Sequence, residues 1–331
     1  MKSKHVSIRD VAKHAGVSIA TVSRVFNKTS FVSEELIEKV LTSAKELGYH
    51  PNRVAQSLRK GQTKTIGFLI PDIVNPFFSS MVKGAEDFLK SLGYIILLCS
   101  SSGDREKENE LLVTLYSRKI DGLIAITLEE NNPLIDSAIS QKVPTILIDN
   151  VVNRPFVSCV ASDNYGGVKK LMNYLIETGH SSFAFLSGDP IIYSAKERLK
   201  AFKDTVKGKD DFEFEILFGE YTYESGIEMV RKLSRIPDAV VCGNDMIAFG
   251  AMVELERQGF RIPQDVSVTG FDDILFSRMS QPPLTTVRQD AYLMGRAGAE
   301  LLINAINEEI KNEVVLLETT LEIRGSTRER K

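Results

Sequence analysis

Residues 6–27 read "VSIRDVAKHAGVSIATVSRVFN" and contain the signals of two short helices. Ser7 followed three residues later by Asp10 is the pattern of a helix N-cap, and Gly16 is typical of the residue that ends a helix. Ser18 then predicts the cap of a second helix. Two short helices joined by a tight turn that contains glycine are typical of a helix-turn-helix.

The second predicted helix has one apolar side and one side of small, hydroxylated or basic residues. Val22, Val25 and Phe26 recur at helical spacing and predict the buried side. The outward side suits a DNA groove, because short side chains permit close approach and Arg24 can bind guanine in bidentate fashion. A solvated helix face in a structural bundle is the alternative interpretation.

Two further helices are predicted before the first strand. Ser33 caps a third helix that Gly48 closes, so that three short helices bury one small core. Residues 51–60 then predict a short helix capped by Asn52, and eight residues are too few to form a stable helix alone in water. Such a helix needs a partner surface.

Composition and charge divide the 331 residues into a basic module and an acidic body. Residues 1–61 carry 11 Lys and Arg against 5 Asp and Glu, a formal charge of +6, and the remainder carries 30 against 39, or −9. The whole chain has 43% hydrophobic and 26% charged residues, as globular proteins do. The asymmetry favours a nucleic-acid-binding arm on a body with another task.

Nothing in the sequence predicts a metal, a cofactor or a membrane segment. The three cysteines (Cys99, Cys159 and Cys242) lie in separate apolar runs without metal-ligand spacing, and the four histidines have no paired spacing either. The amino terminus lacks an apolar leader, and no run approaches the length of a bilayer span. We therefore expect a cytoplasmic protein without cofactors.

From Lys64 onward, apolar strand-like runs alternate with amphipathic helical patterns, which predicts parallel sheets covered by helices on both faces. About 270 residues of this pattern exceed one core, so two lobes are expected. The predicted fold class is α/β, with a small all-α headpiece before it. The predicted domains are 1–50, a hinge helix and linker at 51–61, and a body at 62–331.

Polar residues follow the predicted strands, at the sheet edge where open α/β folds bind ligands. Carboxylates, amides, an arginine and aromatic rings together suit a hydroxyl-rich ligand such as a sugar. This set comprises Asp72, Asn75, Phe77, Phe78, Asp149, Arg198, Tyr221, Asn244 and Asp272. The alternative is that the Asp and Asn residues only cap helices, and Asp104, Asp163 and Asp245 are assigned to capping or turns.

The quoted stretch, continued by "VSEELIEKVLTSAKELGYHPNRVAQSLRKGQTKTIGFLIPD", resembles the amino-terminal region of the lac repressor (LacI/GalR) family of bacterial transcription regulators. The resemblance implies a homodimer on a near-palindromic double-stranded operator, with the second helix in the major groove. A hinge helix would wedge Leu58 into the minor groove. The implied DNA-binding residues are Ser7, Ile8, Ser18, Ile19, Ala20, Thr21, Ser23, Arg24, Asn27, Ser33, Tyr49, Asn52, Arg53, Gln56 and Leu58.

The remainder of the chain is similar to the effector-binding domain of the same family, which is itself like periplasmic sugar-binding proteins. The resemblance adds Ser194 and Gln289 to the implied effector residues. The "DIVNPFF" opening and the "SGD" loop resemble regulators of the ribose type. The resemblance also implies that outer helices of the body, including parts of 77–92 and 248–258, pair two copies.

Three other functions are alternatives to a sugar-controlled repressor. An enzyme is disfavoured, because no nucleophile elbow, P-loop, dinucleotide fingerprint or metal spacing occurs. A transport-type binding protein would share the body but not the DNA-reading module. A regulator whose DNA binding is promoted by a phosphorylated carrier-protein corepressor stays open, because the Ile19–Ala20 pair resembles the carbon-catabolite-control branch of the family.

Overall fold

The computed structural model describes residues 6–27, 31–49, 62–129, 132–152, 154, 157–208, 211–307 and 312–329. The chain divides into two compact units between Thr63 and Lys64. The predicted hinge helix, with Asn52, Arg53, Gln56 and Leu58, lies outside the described residues.

Three helices form the described part of the amino-terminal unit: α1 (Ile8–Ala15), α2 (Ile19–Asn27) and α3 (Glu34–Glu46). Gly16 ends α1 with a φ of 64°, in the left-handed region that glycine adopts without strain. Val11, Val22 and Val40, one from each helix, are fully buried. The helix-turn-helix and its common core agree with the periodicity, although Leu41 of the third apolar stripe is exposed.

The body contains two six-stranded sheets, which confirms the predicted α/β class. The first sheet consists of β1 (Thr65–Ile70), β2 (Ile95–Ser100), β3 (Gly122–Ala125), β4 (Thr145–Ile148), β5 (Val157–Ser162) and β11 (Val314–Leu317), in the order β11-β5-β4-β3-β1-β2. Its strand pairs are all parallel. Because both faces are covered, β1 and β5 are buried along nearly their whole length.

The second sheet consists of β6 (Ser182–Ser187), β7 (Glu213–Phe218), β8 (Ala239–Cys242), β9 (Ser267–Asp272), β10 (Thr285–Arg288) and β12 (Thr320–Glu322). Their order is β12-β10-β9-β8-β6-β7, and the pairing is parallel except between β10 and β12. The antiparallel strand β12 lies at the edge, next to an otherwise parallel set.

Helices divide between the two sheets. The first lobe is the first sheet with α4 (Pro76–Ser91), α5 (Arg105–Ser117), α6 (Pro133–Ser140) and α12 (Ala291–Asn307). The second lobe is the second sheet with α7 (Asn164–Glu177), α8 (Tyr193–Val206), α9 (Tyr223–Lys232), α10 (Asp245–Arg257) and α11 (Leu275–Met279). The chain crosses between the lobes three times: after β5, after β10 and after β11.

Helices α4 and α12 of the first lobe approach each other closely at two glycines. A Cβ on Gly84 would overlap the carbonyl oxygen of Tyr292, and one on Gly295 would overlap the carbonyl oxygen of Met81. The two backbones therefore touch where side chains would otherwise separate them. This crossing joins the amino-terminal part of the first lobe to the segment that returns to it.

Candidate functional site

One face of α2 is exposed and carries the side chains that the sequence assigns to DNA. Ile19 is 45% exposed, and Ala20 and Arg24 are exposed beside it. Val22 and Val25 are buried on the opposite side of the helix. The face therefore presents two short apolar side chains and one guanidinium without disturbing the core.

Hydroxyls near the helix starts already have local partners. Ser18 Oγ accepts a 3.0 Å hydrogen bond from Thr21 N and lies 2.9 Å from Thr21 Oγ1. The backbone N and the Oγ of Ser7 donate to Asp10 at 2.8 and 2.7 Å. These hydroxyls therefore take part in hydrogen bonds at the starts of α1 and α2.

The remaining described residues of the predicted DNA-binding set differ in exposure. Asn27 Nδ2 donates a 3.0 Å bond to Ser23 Oγ, and Ser33 is the exposed N-cap of α3. Ile8 and Tyr49 are half-buried and pack against the core of the bundle, where the Tyr49 ring lies 5.7 Å from that of Phe26. Ile8 and Tyr49 therefore also contribute to the core of the three-helix bundle.

Arg198 is the buried cation at the strand ends of the second lobe. It lies on α8, is 3% exposed, and stacks its guanidinium 3.9 Å from the centroid of the Phe271 ring. Its Nε donates a 2.7 Å bond to Asn164 Oδ1, and its Nη1 donates a 2.6 Å bond to the carbonyl of Gly243. The guanidinium is thereby fixed in one orientation.

Asp272, which ends β9, faces this guanidinium. Its Oδ1 lies 3.9 Å from Arg198 Nη2 and accepts a 2.7 Å bond from Gln289 Nε2. Burial raises the pKa of the Asp272 carboxyl well above its ordinary value, while the Arg198 charge lowers it. The backbone of Asp272 has a φ of 128°, a region that a non-glycine residue rarely adopts.

Asp149 brings a carboxylate from the first lobe. It follows β4 with a φ of 58°, is 9% exposed, and accepts a 3.0 Å bond from Ser194 Oγ on α8. Burial raises the pKa of Asp149, opposed by the charge of Arg198. Residues of both lobes therefore meet at one place, which lies at the carboxyl ends of both sheets.

Two buried acceptors of this cluster have no hydrogen-bond partner within the described part of the chain. They are Asp149 Oδ1 and Gln289 Oε1. A buried acceptor that lacks a partner costs free energy, about 1–3 kcal/mol for a neutral group. Hydroxyl groups of a ligand would supply the missing donors.

Tyr221 and Asn244 border the same cluster. The ring centroid of Tyr221 lies 5.7 Å from Arg198 Cζ, and burial raises the pKa of its hydroxyl to about 12. Gly188 makes room for the ring, because a Cβ there would overlap it. Asn244 caps α10 by accepting a 2.9 Å bond from Ile247 N, and its amide donates to the carbonyl of Tyr221 at 3.4 Å.

The predicted effector residues that follow β1 differ from one another in burial and in their hydrogen-bond partners. Asn75 caps α4 by accepting a 3.0 Å bond from Phe77 N, and Asp72 accepts a 2.8 Å bond from Val74 N in a partly exposed turn. The Phe77 ring is buried in the core of the first lobe, 5.4 Å from the ring of Phe78. Phe77 also lines a cavity of about 300 Å³ together with Asp272 and Gln289, among other residues.

The capping assignments are correct at two of three positions. Asp104 and Asp163 cap α5 and α7 through bonds from Lys107 N and Gly166 N. Asp245 was expected to cap or turn, and this is wrong: Asn244 caps α10, while Asp245 is the first residue of the helix and is fully buried. Its carboxylate accepts bonds from the segment that follows β9 and from β10.

Three residues that contact Arg198 were not predicted from the sequence. Asn164 and Gly243 accept its hydrogen bonds, and Phe271 lies under its guanidinium. Asn164 lies two residues after β5, just as the selected Asn244 lies two residues after β8, so the strand-end argument could have found it. Gly243 acts through its carbonyl, and Phe271 looks like any apolar strand residue, so neither carries a signal.

Metal sites and membrane-spanning helices are both absent from the described residues. No group of three or more His, Cys, Asp or Glu side chains there could hold a metal ion. Within the same residues, no helix combines the length and apolar character needed to cross a membrane.

Two family models match the chain in succession. Residues 7–52 match the model "Bacterial regulatory proteins, lacI family", and residues 172–327 match "Periplasmic binding protein-like domain". The ribose operon repressor of Halalkalibacterium halodurans is 35% identical over 329 residues, which cover 95% of this chain and 97% of that protein. Catabolite control protein A of Priestia megaterium is 34% identical over 333 residues, 98% of this chain and 100% of that protein.

Solved structures are similar in fold over most of the chain. The lac repressor dimer bound to operator and the anti-inducer ONPF aligns with a TM-score of 0.87 and 29% identity, covering 98% of this chain and 100% of that one. A LacI family transcriptional regulator from Enterococcus faecium with bound ribose aligns with a TM-score of 0.74 and 29% identity, covering 81% of this chain and 100% of that one.

Proposed function

The chain belongs to the lacI family of bacterial regulatory proteins, and on that premise we propose that it represses carbohydrate-utilisation genes under the control of a sugar-type effector. Its relatives are DNA-binding transcriptional regulators rather than enzymes. The observation that carries the effector assignment is the meeting of Asp149, Ser194, Arg198, Asp272 and Gln289 at the strand ends of both lobes.

The effector that suits this cluster is a neutral monosaccharide of the ribose type. Asp149 and Asp272 are two buried carboxylates against one buried guanidinium, and Arg198 already donates to Asn164 and Gly243. A phosphorylated sugar would add negative charge to a site with an excess of carboxylate, whereas sugar hydroxyls donate to it. A ribose operon repressor among the relatives and a ribose-bound regulator among the similar structures support the choice.

Operator DNA is bound, in this proposal, by a homodimer on a near-palindromic site. The exposed face of α2, with Ile19, Ala20 and Arg24, enters the major groove of each half-site, and the two half-sites lie about 34–36 Å apart. Residues 51–61, predicted from the sequence as hinge helix and linker, would bring Leu58 to the minor groove. Phosphate contacts from helix starts fix the orientation of each helix on the duplex.

Control follows from the two-lobed site. Asp149 and Ser194 already connect the lobes, and a bound sugar bridges the same two sheets. Binding therefore favours one arrangement of the lobes, and operator affinity changes only if that arrangement differs from the one that binds DNA. We expect the sugar to lower operator affinity.

A thermal-shift screen tests the effector assignment. Pentoses, hexoses, disaccharides and sugar phosphates are each added to the wild-type protein and to Arg198→Ala, and a true ligand raises the melting temperature of the wild type alone. Arg231→Ala is the control, because Arg231 is an exposed arginine of the same lobe that pairs with Glu254. Operator affinity is then measured by fluorescence anisotropy with and without the ligand; an unchanged affinity at full occupancy would refute the repressor model.

A second candidate is a regulator whose operator binding is promoted by a phosphorylated carrier-protein corepressor. The Ile19–Ala20 pair and the 34% identity with a catabolite control protein support it. The same anisotropy assay separates the two candidates. A phosphorylated carrier protein that raises operator affinity, without any effect of free sugars, would favour the second.

A further inference from the structure

Asp245 is a buried carboxylate that the binding of sugar or DNA does not use directly. It is the first residue of α10 and is 0% exposed. Its Oδ2 accepts a 3.0 Å bond from Ile274 N and a 2.5 Å bond from Ser277 Oγ. Its Oδ1 accepts a 2.6 Å bond from Thr286 Oγ1 on β10. One side chain thus ties three segments of the second lobe together.

The groups around this carboxylate are acidic or already engaged. Cys242 on β8, Asp272 on β9 and Asp273 after it are its titratable neighbours. Three nearby arginines face other carboxylates. Arg278 of α11 and Arg324 pair with Asp273 at 2.9 and 2.6 Å, and Arg198 of α8 faces Asp272. Arg288 of β10 is exposed. Burial of a carboxylate supported by hydrogen bonds alone is costly, so packing does not explain its presence.

The segment that Asp245 holds is conformationally unusual. Asp272 and Asp273 have φ values of 128° and 54°. Each such residue costs about 1–3 kcal/mol and persists only where its surroundings fix it. Ile274, the next residue, is the one whose N–H donates to Asp245. Gly270 leaves space for the carboxylate, because a Cβ there would overlap Asp245 Oδ1. The strained turn is therefore clamped immediately after the carboxylate that faces Arg198.

We propose that Asp245 is a positioning residue for the effector site. By accepting bonds from Ile274, Ser277 and Thr286, it fixes the turn at Asp272 and keeps that carboxylate against Arg198 and Gln289. This role rests on the proposed function of the site, in which Asp272 binds ligand hydroxyls. Asp245 itself does not touch the effector.

Two substitutions of Asp245 test the role against a matched control. Asp245→Ala removes all three acceptors, whereas Asp245→Asn keeps one oxygen for Ile274 and Ser277 and lets the Thr286 hydroxyl accept from the amide. Asp238→Ala is the control: Asp238 accepts bonds of 2.9 and 3.0 Å from Ser181 N and Ser182 N at the opposite, amino-terminal edge of the same sheet. The measurements are D-ribose affinity by calorimetry, amide exchange of residues 271–277, and melting temperature.

Asp245→Ala is expected to bind D-ribose about tenfold or more weakly, about 1.4 kcal/mol per factor of ten, with faster exchange in 271–277. Asp245→Asn should regain most of the D-ribose affinity and of the protection from exchange in 271–277. Asp238→Ala should have a lower melting temperature and an unchanged D-ribose affinity. Equal affinity losses in Asp245→Ala and Asp238→Ala would overturn the positioning role, and so would unchanged exchange in 271–277. If the wild type binds no sugar while exchange rises in Asp245→Ala, the effector assignment fails and the positioning of Asp272 stands.

Discussion

Ser194 Oγ donates a 3.0 Å hydrogen bond to Asp149 Oδ2, and the two residues belong to different lobes. Both are buried, at 1% and 9% exposure. The bond links the carboxyl end of β4 in the first sheet to the start of α8 beside the second. The bond therefore depends directly on how the two lobes are arranged.

Removing this hydroxyl leaves the Asp149 carboxylate without its donor. Ser194→Ala should lower the free energy of unfolding by about 1–3 kcal/mol, because a buried acceptor loses its partner. Affinity for the sugar should also fall, since the lobes are no longer joined at this point. Urea unfolding and calorimetry measure both quantities. Ser140→Ala removes an exposed hydroxyl from α6 and should change neither.

Arg198→Lys keeps the charge but not the fork of donors. A lysine ammonium cannot donate to Asn164 Oδ1 and the Gly243 carbonyl in the arrangement that Nε and Nη1 provide. We expect sugar affinity to fall by about 2–5 kcal/mol, typical of disturbing a buried, hydrogen-bonded charge. Calorimetry with D-ribose measures this loss. Binding equal to wild type would show that charge alone is required.

Because of Asp245, we expect the stability of the protein to fall as pH rises through about 6. Burial raises its pKa to about 6, above the ordinary value near 3.9. The folded state therefore binds the proton more tightly, so this contribution to stability is full below about pH 4 and is lost as pH rises through about 6. The melting-temperature difference between wild type and Asp245→Asn should shift in favour of wild type as pH falls from 7.5 to 5. A difference that does not vary with pH would contradict the raised pKa.

Arg24 should matter for operator binding and little for folding. It is exposed on α2, so Arg24→Ala should leave the melting temperature nearly unchanged. Loss of a bidentate contact to guanine costs about 1–3 kcal/mol of discrimination. Anisotropy titrations with operator and with unrelated DNA compare specific and non-specific affinity. Lys45→Ala, an exposed cation of α3 outside the predicted set, serves as the control, and equal losses in both variants would indicate a purely electrostatic role.

The crossing of α4 and α12 should not tolerate a side chain. Gly295→Ala puts a methyl group into the carbonyl oxygen of Met81, and the backbones must separate. Overpacking of this kind costs about 1–3 kcal/mol or more, which offsets the gain in helix propensity. Chemical denaturation measures the loss. Ser79→Ala, at an exposed position of α4, should be neutral or stabilising, and an equally mild Gly295→Ala would show that the helices can shift apart.

Periodicity predicted most elements of the fold closely, because alternation of buried strands and amphipathic helices is a local property. The helices predicted to include 77–92 and 248–258 are observed at Pro76–Ser91 and Asp245–Arg257. It could not predict which sheet each strand joins. The short strand β11 has exposed residues at alternate positions. It joins the first sheet by parallel pairing with β5, which is far away in the sequence.

Chemistry and position at strand ends selected Asp149, Arg198 and Asp272, and the structure places these side chains in one cluster. The carboxylate of Asp245 was misassigned, since a residue at the start of a helix looks the same whether it caps the helix or turns into the core. Burial decides between these two roles, and burial depends on the loop after β9 that closes over it. Local sequence carries no information about such a closure.

The three chain crossings between the lobes have a consequence for synthesis. Residues Val314–Leu317 add an edge strand to the first sheet, and residues Thr320–Glu322 add one to the second. The first sheet begins at Thr65 and receives its last strand from Val314, and the second begins at Ser182 and receives its last strand from Thr320. Domains otherwise fold as units during translation. Both lobes stay incomplete on the ribosome until these two short strands emerge, within a few residues of each other.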